Sequence, residues 1–139
     1  MKKYLILIFL LCIALVVTSC SVFSLGSSAP EYHKISAEAA KARIDSKEKL
    51  IIVDVRTEEE YQAKHIENAI LIPNETISNQ KPALLPDLDA EILIYCRSGN
   101  RSAQAAEKLV KLGYTKIYDF GGIIDWPYAT VSEAKIITN

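Results

Sequence analysis

The sequence predicts an α/β domain in which a mostly parallel β-sheet is flanked by helices on both faces. Short apolar runs with strand character alternate along the chain with polar segments that are suited to helices, as they do in proteins with parallel sheets. The runs are apolar at consecutive positions, which indicates strands that are buried on both faces. The predicted strands are residues 50–55, 69–72, 91–95 and 116–119.

Helices are predicted on either side of the first of these strands. Ser36 is a suitable N-cap for an Ala-, Glu- and Lys-rich helix over residues 37–49. Thr57 and Glu60 have the spacing of a capping box, in which each side chain accepts a hydrogen bond from the backbone N–H of the other residue. This pair predicts a short helix that ends near Lys64.

The second half of the domain contains one long connection and one amphipathic helix. Residues 74–89 include two prolines and are expected to be irregular, with one helical turn. Residues 102–112 carry apolar side chains at helical spacing, and Gly113 follows as a C-terminal stop. The Gly121-Gly122 pair predicts a turn after the last strand.

The N-terminus has the features of a bacterial export signal. A pair of lysines precedes the apolar residues 4–17, a stretch shorter than the roughly 20 residues needed to cross a bilayer. The motif that follows, Val17-Thr18-Ser19-Cys20, resembles a lipobox, whose cysteine is lipidated and becomes the new N-terminus. We therefore expect a lipoprotein signal peptide over residues 1–19 and lipidation of Cys20. An uncleaved anchor and an ordinary signal peptide stay open as alternatives.

The rest of the chain divides into a tether and one domain. Residues 20–31 are rich in Ser, Gly and Pro and are expected to form a flexible tether. Residues 32–139 are expected to form the single small domain that a chain of this length can hold. Because the lysine-bearing end of the signal stays inside the cell, we expect this domain outside the cytoplasmic membrane, anchored by the lipid to a bacterial membrane.

Charge and cysteine content narrow the classes of function. The signal peptide takes two of the 16 basic residues and none of the 17 acidic residues, which leaves a mildly acidic domain without a basic run. This composition argues against nucleic acid as the main partner. Cys12 lies in the signal peptide and Cys20 would be lipidated, so Cys96 has no partner for an internal disulfide. With two histidines and one remaining thiol, no metal-ligand cluster is expected.

Cys96 stands where an apolar strand meets a polar loop that leads into a helix. Cations and helix N-termini favour the thiolate form of a cysteine and also bind anions, and the loop contains Arg97 and Arg101. Gly99 permits the unusual dihedral angles that a tightly curled loop requires. The alternative is a buried structural cysteine that packs as a small apolar side chain. The polar residues directly after Cys96 weigh against that alternative.

Four motifs in this order resemble the rhodanese-like family of sulfurtransferases, and the resemblance runs from about Ile35 to Trp126. Each motif alone is a weak signal, but the four together are specific. The motifs are Val53-Asp54-Val55-Arg56-Thr57 with Glu58, Glu60 and Tyr61; His65-Ile66 with Ala69-Ile70 and Ile72-Pro73; Tyr95-Cys96-Arg97-Ser98-Gly99-Asn100-Arg101-Ser102; and Gly121-Gly122-Ile123 with Trp126.

The resemblance implies a rhodanese-like fold and a sulfurtransferase that needs no cofactor. Cys96 would take a sulfane sulfur from thiosulfate or a persulfide donor and become a persulfide. It would then pass the sulfur to cyanide, a thiol or a protein cysteine. The substrate-binding residues would be those of the loop, Arg97, Ser98, Gly99, Asn100 and Arg101. Arg97 would bind the anionic oxygens of thiosulfate, whereas Arg101 either contacts the substrate or, as we favour, braces the loop through a carboxylate.

Residues outside the loop are expected to support the site rather than react. Asp54 is expected to be a structural hydrogen-bonding acid, and Arg56 is expected to form an internal ion pair. His65 more often packs and forms hydrogen bonds in this family than reacts, and Trp126 is expected in the core or in a pocket wall.

Two further possibilities for the function stay open. Four residues separate Cys96 from Arg101, whereas cysteine phosphatases have one more at this place, which disfavours a phosphatase or an arsenate reductase. Rhodanese-like domains also occur as binding modules without activity.

The sequence departs from the family pattern around His65, where the family usually has glycine and this chain has Lys64 and Asn68. Asn tolerates a left-handed backbone and is expected to substitute directly, whereas the turn at Lys64 is expected to differ in shape.

Overall fold

The structure is a computed structural model that describes residues 31–46 and 49–133. The predicted signal peptide, the lipidation site at Cys20 and nearly all of the predicted tether lie outside these residues. In the part of the chain that is described, no helix is long and apolar enough to cross a membrane.

The described residues contain five strands, β1 (His33–Lys34), β2 (Leu50–Asp54), β3 (Ile70–Leu71), β4 (Glu91–Cys96) and β5 (Lys116–Gly122). They are parallel and form one sheet in the order β1-β5-β4-β2-β3. The four predicted strands are all present, so the predicted parallel sheet is confirmed. The edge strand β1, which was not predicted, has only two residues.

The first two helices begin where their caps predict. Helix α1 (Ala37–Asp45) starts after Ser36, whose hydroxyl accepts a hydrogen bond from the Ala39 N–H at 3.2 Å. It ends earlier than the predicted residue 49. Helix α2 (Glu58–Ala63) starts after Thr57 with both hydrogen bonds of the capping box in place. The backbone at both starts is extended and then helical, which is the geometry that a side-chain cap requires.

Helix α3 (Asn100–Lys111) begins two residues before the predicted start at Ser102, so that prediction was wrong. The preceding residue, Gly99, has a left-handed backbone with φ of 96° and forms the helix boundary instead. The Ser102 side chain lies inside the first turn and donates a hydrogen bond back to the Gly99 carbonyl at 3.1 Å. Asn100 and Arg101 therefore belong to the first turn of a helix, and the loop itself is only Arg97, Ser98 and Gly99.

The sheet has an apolar cluster on each face, which confirms helices on both sides. One cluster places Ala105, Leu109 and Val110 of α3 against alternate residues of β4. The other cluster joins Ala40 of α1 to Leu93 and Tyr95 on the opposite face of β4. Trp126 is 8% exposed and belongs to this second cluster, where its ring lies 5.4 Å from that of Phe120, so it is a core residue. Strand β4 is buried on both faces, as its uninterrupted apolar sequence predicts.

The long connection after β3 and the segment after β5 each contain one 3-10 turn. The first, Asn74–Thr76, is the single helical turn predicted for residues 74–89, and the second is Ile123–Asp125. Both turns lie beyond the C-terminal ends of their strands. In parallel sheets the C-terminal ends of strands are the usual place for a functional site. The ends of β2, β4 and β5 lie side by side here, at Cys96.

Candidate active site

Cys96 is the last residue of the central strand β4, and its side chain is 1% exposed. Its Sγ accepts a hydrogen bond from the Gly99 N–H at 3.1 Å, so the loop curls back over the sulfur. In the described residues Cys96 is the one free cysteine. A backbone N–H that points at sulfur, just before the N-terminus of a twelve-residue helix, favours negative charge at this position.

Arg97 and Ser98 are exposed at the surface of the loop, whereas Gly99 turns the chain into α3. In the described part of the chain, Arg97 takes part in none of the four salt bridges. Its guanidinium is therefore exposed and without a carboxylate partner among these residues. Among the loop residues named from the sequence, Arg97 is the one that combines full charge with exposure.

Arg101 faces a carboxylate on another helix. Its two terminal nitrogens donate to the two oxygens of Glu60 in α2, at 2.7 and 2.9 Å. This bidentate pair lowers the pKa of Glu60 to about 2 and raises the pKa of Arg101 above its ordinary value. Of the two roles considered for Arg101, the geometry matches bracing of the loop, with Glu60 as the carboxylate.

Asp54 and Arg56 form an ion pair at the C-terminal end of β2. Arg56 Nη2 lies 2.6 Å from Asp54 Oδ2, and both side chains are at most 5% exposed. Arg56 also donates to the Lys64 carbonyl, and its guanidinium lies over the Tyr95 ring. These contacts join β2 to the turn that follows α2. Both side chains are engaged with each other and with the scaffold, as their predicted supporting role requires.

The turn between α2 and β3 shows how the two departures from the family pattern are accommodated. Asn68 has a positive φ of 64°, the left-handed conformation expected for it. Lys64 has an extended backbone with φ of −168°, which any residue adopts, so no glycine is needed there. His65 stacks on Tyr61 with a centroid distance of 3.8 Å, and its Nδ1 lies 2.8 Å from the Tyr61 carbonyl. His65 therefore packs, as predicted.

Sequence reasoning missed the polar chain that supports Asn100. The Gln104 amide donates to Asn100 Oδ1 at 2.7 Å, and the Asn74 amide donates to Gln104 Oε1 at 3.2 Å. Lys108 completes the chain by donating to both oxygens of Asn74. The spacing of Asn100, Gln104 and Lys108 places them on one helix face, which is a signal in the sequence. Nothing in the sequence identifies Asn74 as their partner.

No cluster of three His, Cys, Asp or Glu side chains in residues 31–46 and 49–133 has the geometry to hold a metal ion. The chemistry available at this site is that of one thiol, backbone N–H groups and an exposed guanidinium. Such an arrangement is suited to a nucleophilic sulfur that meets a small anion.

Comparison with known proteins places most of the domain in one family. Residues 36–127 match the model of the rhodanese-like domain. The thiosulfate sulfurtransferase PspE of Escherichia coli is 37% identical over 73 residues, which are 52% of this chain and 70% of that protein. A sulfurtransferase of Allochromatium vinosum is 35% identical over 95 residues, which are 68% of this chain and 87% of that protein.

A solved structure agrees with the fold. The rhodanese-like domain protein of Staphylococcus aureus has a TM-score of 0.65 and 29% identity, over 73% of this chain and 99% of that one. Some other relatives are longer, and the chain spans 52% of one from Bacillus subtilis and 23% of one from Candida albicans. The same domain therefore also occurs as one part of larger proteins.

The ion pair between Glu60 and Arg101 predicts a pH-dependent contribution to stability. Because folding lowers the pKa of Glu60 from 4.5 to about 2, the pair stabilises the fold fully above pH 4.5, and this contribution is lost as the pH falls toward 2. We expect Glu60→Gln to lower the free energy of unfolding by about 1 kcal/mol at pH 7, since the pair is partly exposed.

Urea denaturation between pH 7 and pH 2 measures this contribution. The difference between the wild-type protein and Glu60→Gln should shrink toward zero at the acid end. Glu59→Gln, at the exposed neighbouring position, is the matched control and should change stability little at any pH. A difference that stays constant over the whole range would contradict this account of the pair.

Proposed function

The chain belongs to the family of rhodanese-like domains, and on this premise we propose that it is a sulfurtransferase that carries a sulfane sulfur on Cys96. The observation that carries the proposal is the position of Cys96 Sγ. It lies at the end of the central strand, 3.1 Å from the Gly99 N–H and next to the exposed Arg97. Sulfur transfer is also the chemistry named for the relatives from E. coli and A. vinosum.

In the first step, we propose that the Cys96 thiolate attacks the outer sulfur of thiosulfate. A new S–S bond forms to Cys96 while the S–S bond of thiosulfate breaks, and sulfite leaves with the bonding electron pair. The products are a Cys96 persulfide anion and sulfite, so atoms and charge balance. The N–H groups of the loop would hold the persulfide anion, because backbone donors directed at developing negative charge stabilise it.

In the second step, an acceptor attacks the outer sulfur of the persulfide. With cyanide, a carbon–sulfur bond forms, the S–S bond breaks and the electron pair returns to Cys96 as thiolate, which gives thiocyanate. A thiol or a protein cysteine would accept the sulfur in the same way and become a persulfide. Cys96 is buried and the rim of the loop, formed by Arg97 and Ser98, is exposed, so an acceptor would approach the sulfur past this rim.

The two arginines near the loop are proposed to have different roles. Arg101 is held by Glu60 in a bidentate pair, so both of its terminal nitrogens are already engaged. Arg97 is free of salt bridges in the described part of the chain and is proposed to bind the anionic oxygens of thiosulfate. The affinity of the site for thiosulfate would then depend on Arg97 and the loop N–H groups, while Arg101 holds the loop in position.

We also propose that the enzyme acts outside the cytoplasmic membrane, held there by a lipid on Cys20. The support is the lipobox-like Val17-Thr18-Ser19-Cys20 after an apolar segment with two lysines before it. A lipid anchor with a flexible tether would keep the domain close to the membrane surface while allowing it to reorient.

Replacement of the thiol is the direct test of the sulfurtransferase proposal. We expect the purified wild-type protein to form thiocyanate from thiosulfate and cyanide, and we expect Cys96→Ser to form none. After incubation with thiosulfate, the wild-type mass should rise by about 32 Da, the mass of one sulfur atom, and the Cys96→Ser mass should not. An unchanged circular dichroism spectrum would show that the variant is folded.

The alternatives make different predictions in the same experiment. A wild-type protein that accepts no sulfur from thiosulfate, persulfide or polysulfide would contradict the proposal and favour a binding module. Phosphate release from an aryl phosphate, lost in Cys96→Ser, would instead favour the phosphatase that the loop length disfavours.

Arg97→Ala is expected to raise the KM for thiosulfate about tenfold with a smaller change in kcat. The loss corresponds to one charge-assisted hydrogen bond, worth roughly 1.5 kcal/mol. Steady-state thiocyanate formation measures both constants. Arg43→Ala is the matched control, because Arg43 pairs with Glu91 at the opposite end of β4 and should leave both constants unchanged. An unchanged KM for Arg97→Ala would exclude Arg97 from substrate binding.

Cys20→Ser is expected to remove the lipid. Mass spectrometry of the protein purified from a detergent extract of producing cells should locate the lipid on Cys20 of the wild type and find none on the variant. Cys12→Ser changes a cysteine within the signal peptide and should leave the lipid in place. A wild-type protein without a lipid on Cys20 would contradict the proposal.

A further inference from the structure

The end of β5 contains a bulge where it runs beside the last residues of β4. Ile94 pairs with Asp119, but the next pair joins Cys96 to Gly122, so three steps along β5 match two along β4. The extra residue is accommodated at Gly121, which has a positive φ of 86°. The Asp119 carboxylate is 4% exposed and accepts a hydrogen bond from the Gly121 N–H at 3.0 Å. The bulge is therefore built into the strand by a buried acid and a glycine.

The bulge brings the backbone of Gly122 against the loop that follows Cys96. A Cβ atom at Gly122 would lie 2.4 Å from the Arg97 carbonyl oxygen and 2.7 Å from the Ser98 Cα. Both distances are far inside van der Waals contact, and both neighbours are backbone atoms that cannot rotate away. The φ of Gly122 is −116°, which other residues adopt, so the requirement for glycine here is one of space.

Hydrogen bonds from the same segment determine where the loop carbonyls point. The Ile124 N–H donates to the Arg97 carbonyl at 3.2 Å. The buried Ser102 hydroxyl lies 3.1 Å from the Gly99 carbonyl and 3.4 Å from that of Gly121, so it joins the loop to the bulge. With these carbonyl oxygens engaged, the Gly99 N–H is directed at Cys96 Sγ. A carbonyl oxygen in that place would repel an anion, because both carry negative charge.

We propose that the β5 bulge, residues 119–122, positions the loop for anion binding, and that Gly122 is a positioning residue for the sulfur-transfer reaction. The proposal rests on the proposed function for its catalytic consequence, but the effect on anions at Cys96 is independent of sulfur transfer. Gly122 has no side chain that could take part in the reaction. It acts by letting β5 contact the Arg97–Ser98 peptide, so any larger residue moves that peptide and the N–H groups with it.

The test is Gly122→Ala, with Gly113→Ala as the matched control. Gly113 has a positive φ of 98°, and a Cβ there would meet only Leu88, at 3.8 Å and beyond, so this change strains the backbone away from the loop. The probe is alkylation of Cys96 in the full chain by iodoacetate, which is an anion, and by iodoacetamide, which is neutral. The ratio of the two rates reports how well the loop accepts an anion beside the sulfur.

We expect Gly122→Ala to lower the iodoacetate-to-iodoacetamide ratio, and kcat/KM for thiosulfate, by on the order of 10-fold or more, since displacements near 1 Å at reacting groups have effects of this size. Gly113→Ala should lower the melting temperature and leave the ratio unchanged. A folded Gly122→Ala protein with the wild-type ratio would overturn the proposal, as would an equal fall of the ratio in Gly113→Ala.

If Gly122→Ala does not fold, Ser102→Ala and two variants of Asp119 test the proposal instead. Ser102→Ala should lower the ratio in the same direction by a smaller factor. Asp119→Ala removes the acceptor for the Gly121 N–H and should lower it, whereas Asp119→Asn keeps an oxygen acceptor and should restore it toward the wild-type value. Wild-type ratios in both Ser102→Ala and Asp119→Ala would overturn the proposal. A protein that forms no thiocyanate but shows these ratio changes would contradict the proposed function alone.

Discussion

The backbone of β5 lies directly against the loop after Cys96, and the geometry of the site depends on this contact. It exists because β5 is paired next to β4 and because Gly122 has no side chain to separate the strand from the Arg97–Ser98 peptide. Once the two backbones are this close, the carbonyl of Arg97 meets the N–H of Ile124 and the loop closes over the sulfur. The surroundings of Cys96 are thus a result of how two neighbouring strands end.

The distribution of charge follows from which carboxylate each arginine reaches. Arg56 is engaged by Asp54 in a buried pair, which is costly to desolvate and therefore needs the additional hydrogen bonds that the pair makes. Arg101 is engaged by Glu60 between α2 and α3. These two pairs attach the ends of β2 and α3 to the turns around them. Arg97 remains exposed at the surface of the loop and takes part in none of the salt bridges of the described residues.

Local patterns in the sequence predicted many elements of the fold but failed where a contact from elsewhere competes with them. The capping box at Thr57 and the left-handed Asn68 were predicted correctly, because both depend on residues within three positions. The start of α3 was placed at Ser102 from the spacing of apolar side chains, yet the helix begins at Asn100, where the left-handed Gly99 ends the loop. The buried Ser102 hydroxyl lies within hydrogen-bond distance of the carbonyls of Gly99 and Gly121. Strand β1 was missed because two exposed polar residues, His33 and Lys34, carry no pattern and pair only because β5 is beside them.

By itself the sequence determined the alternation of strands and helices, the place of a single thiol at the end of a buried strand, and the glycine that turns the chain after it. These features arise from side-chain periodicity and backbone preferences that act over a few residues. The tertiary structure alone decided that Glu60 holds Arg101 from 41 residues away and that Gly122 lies against the loop. Such contacts form only when the sheet has brought the ends of β2, β4 and β5 together. Preferences that act over a few residues cannot predict them.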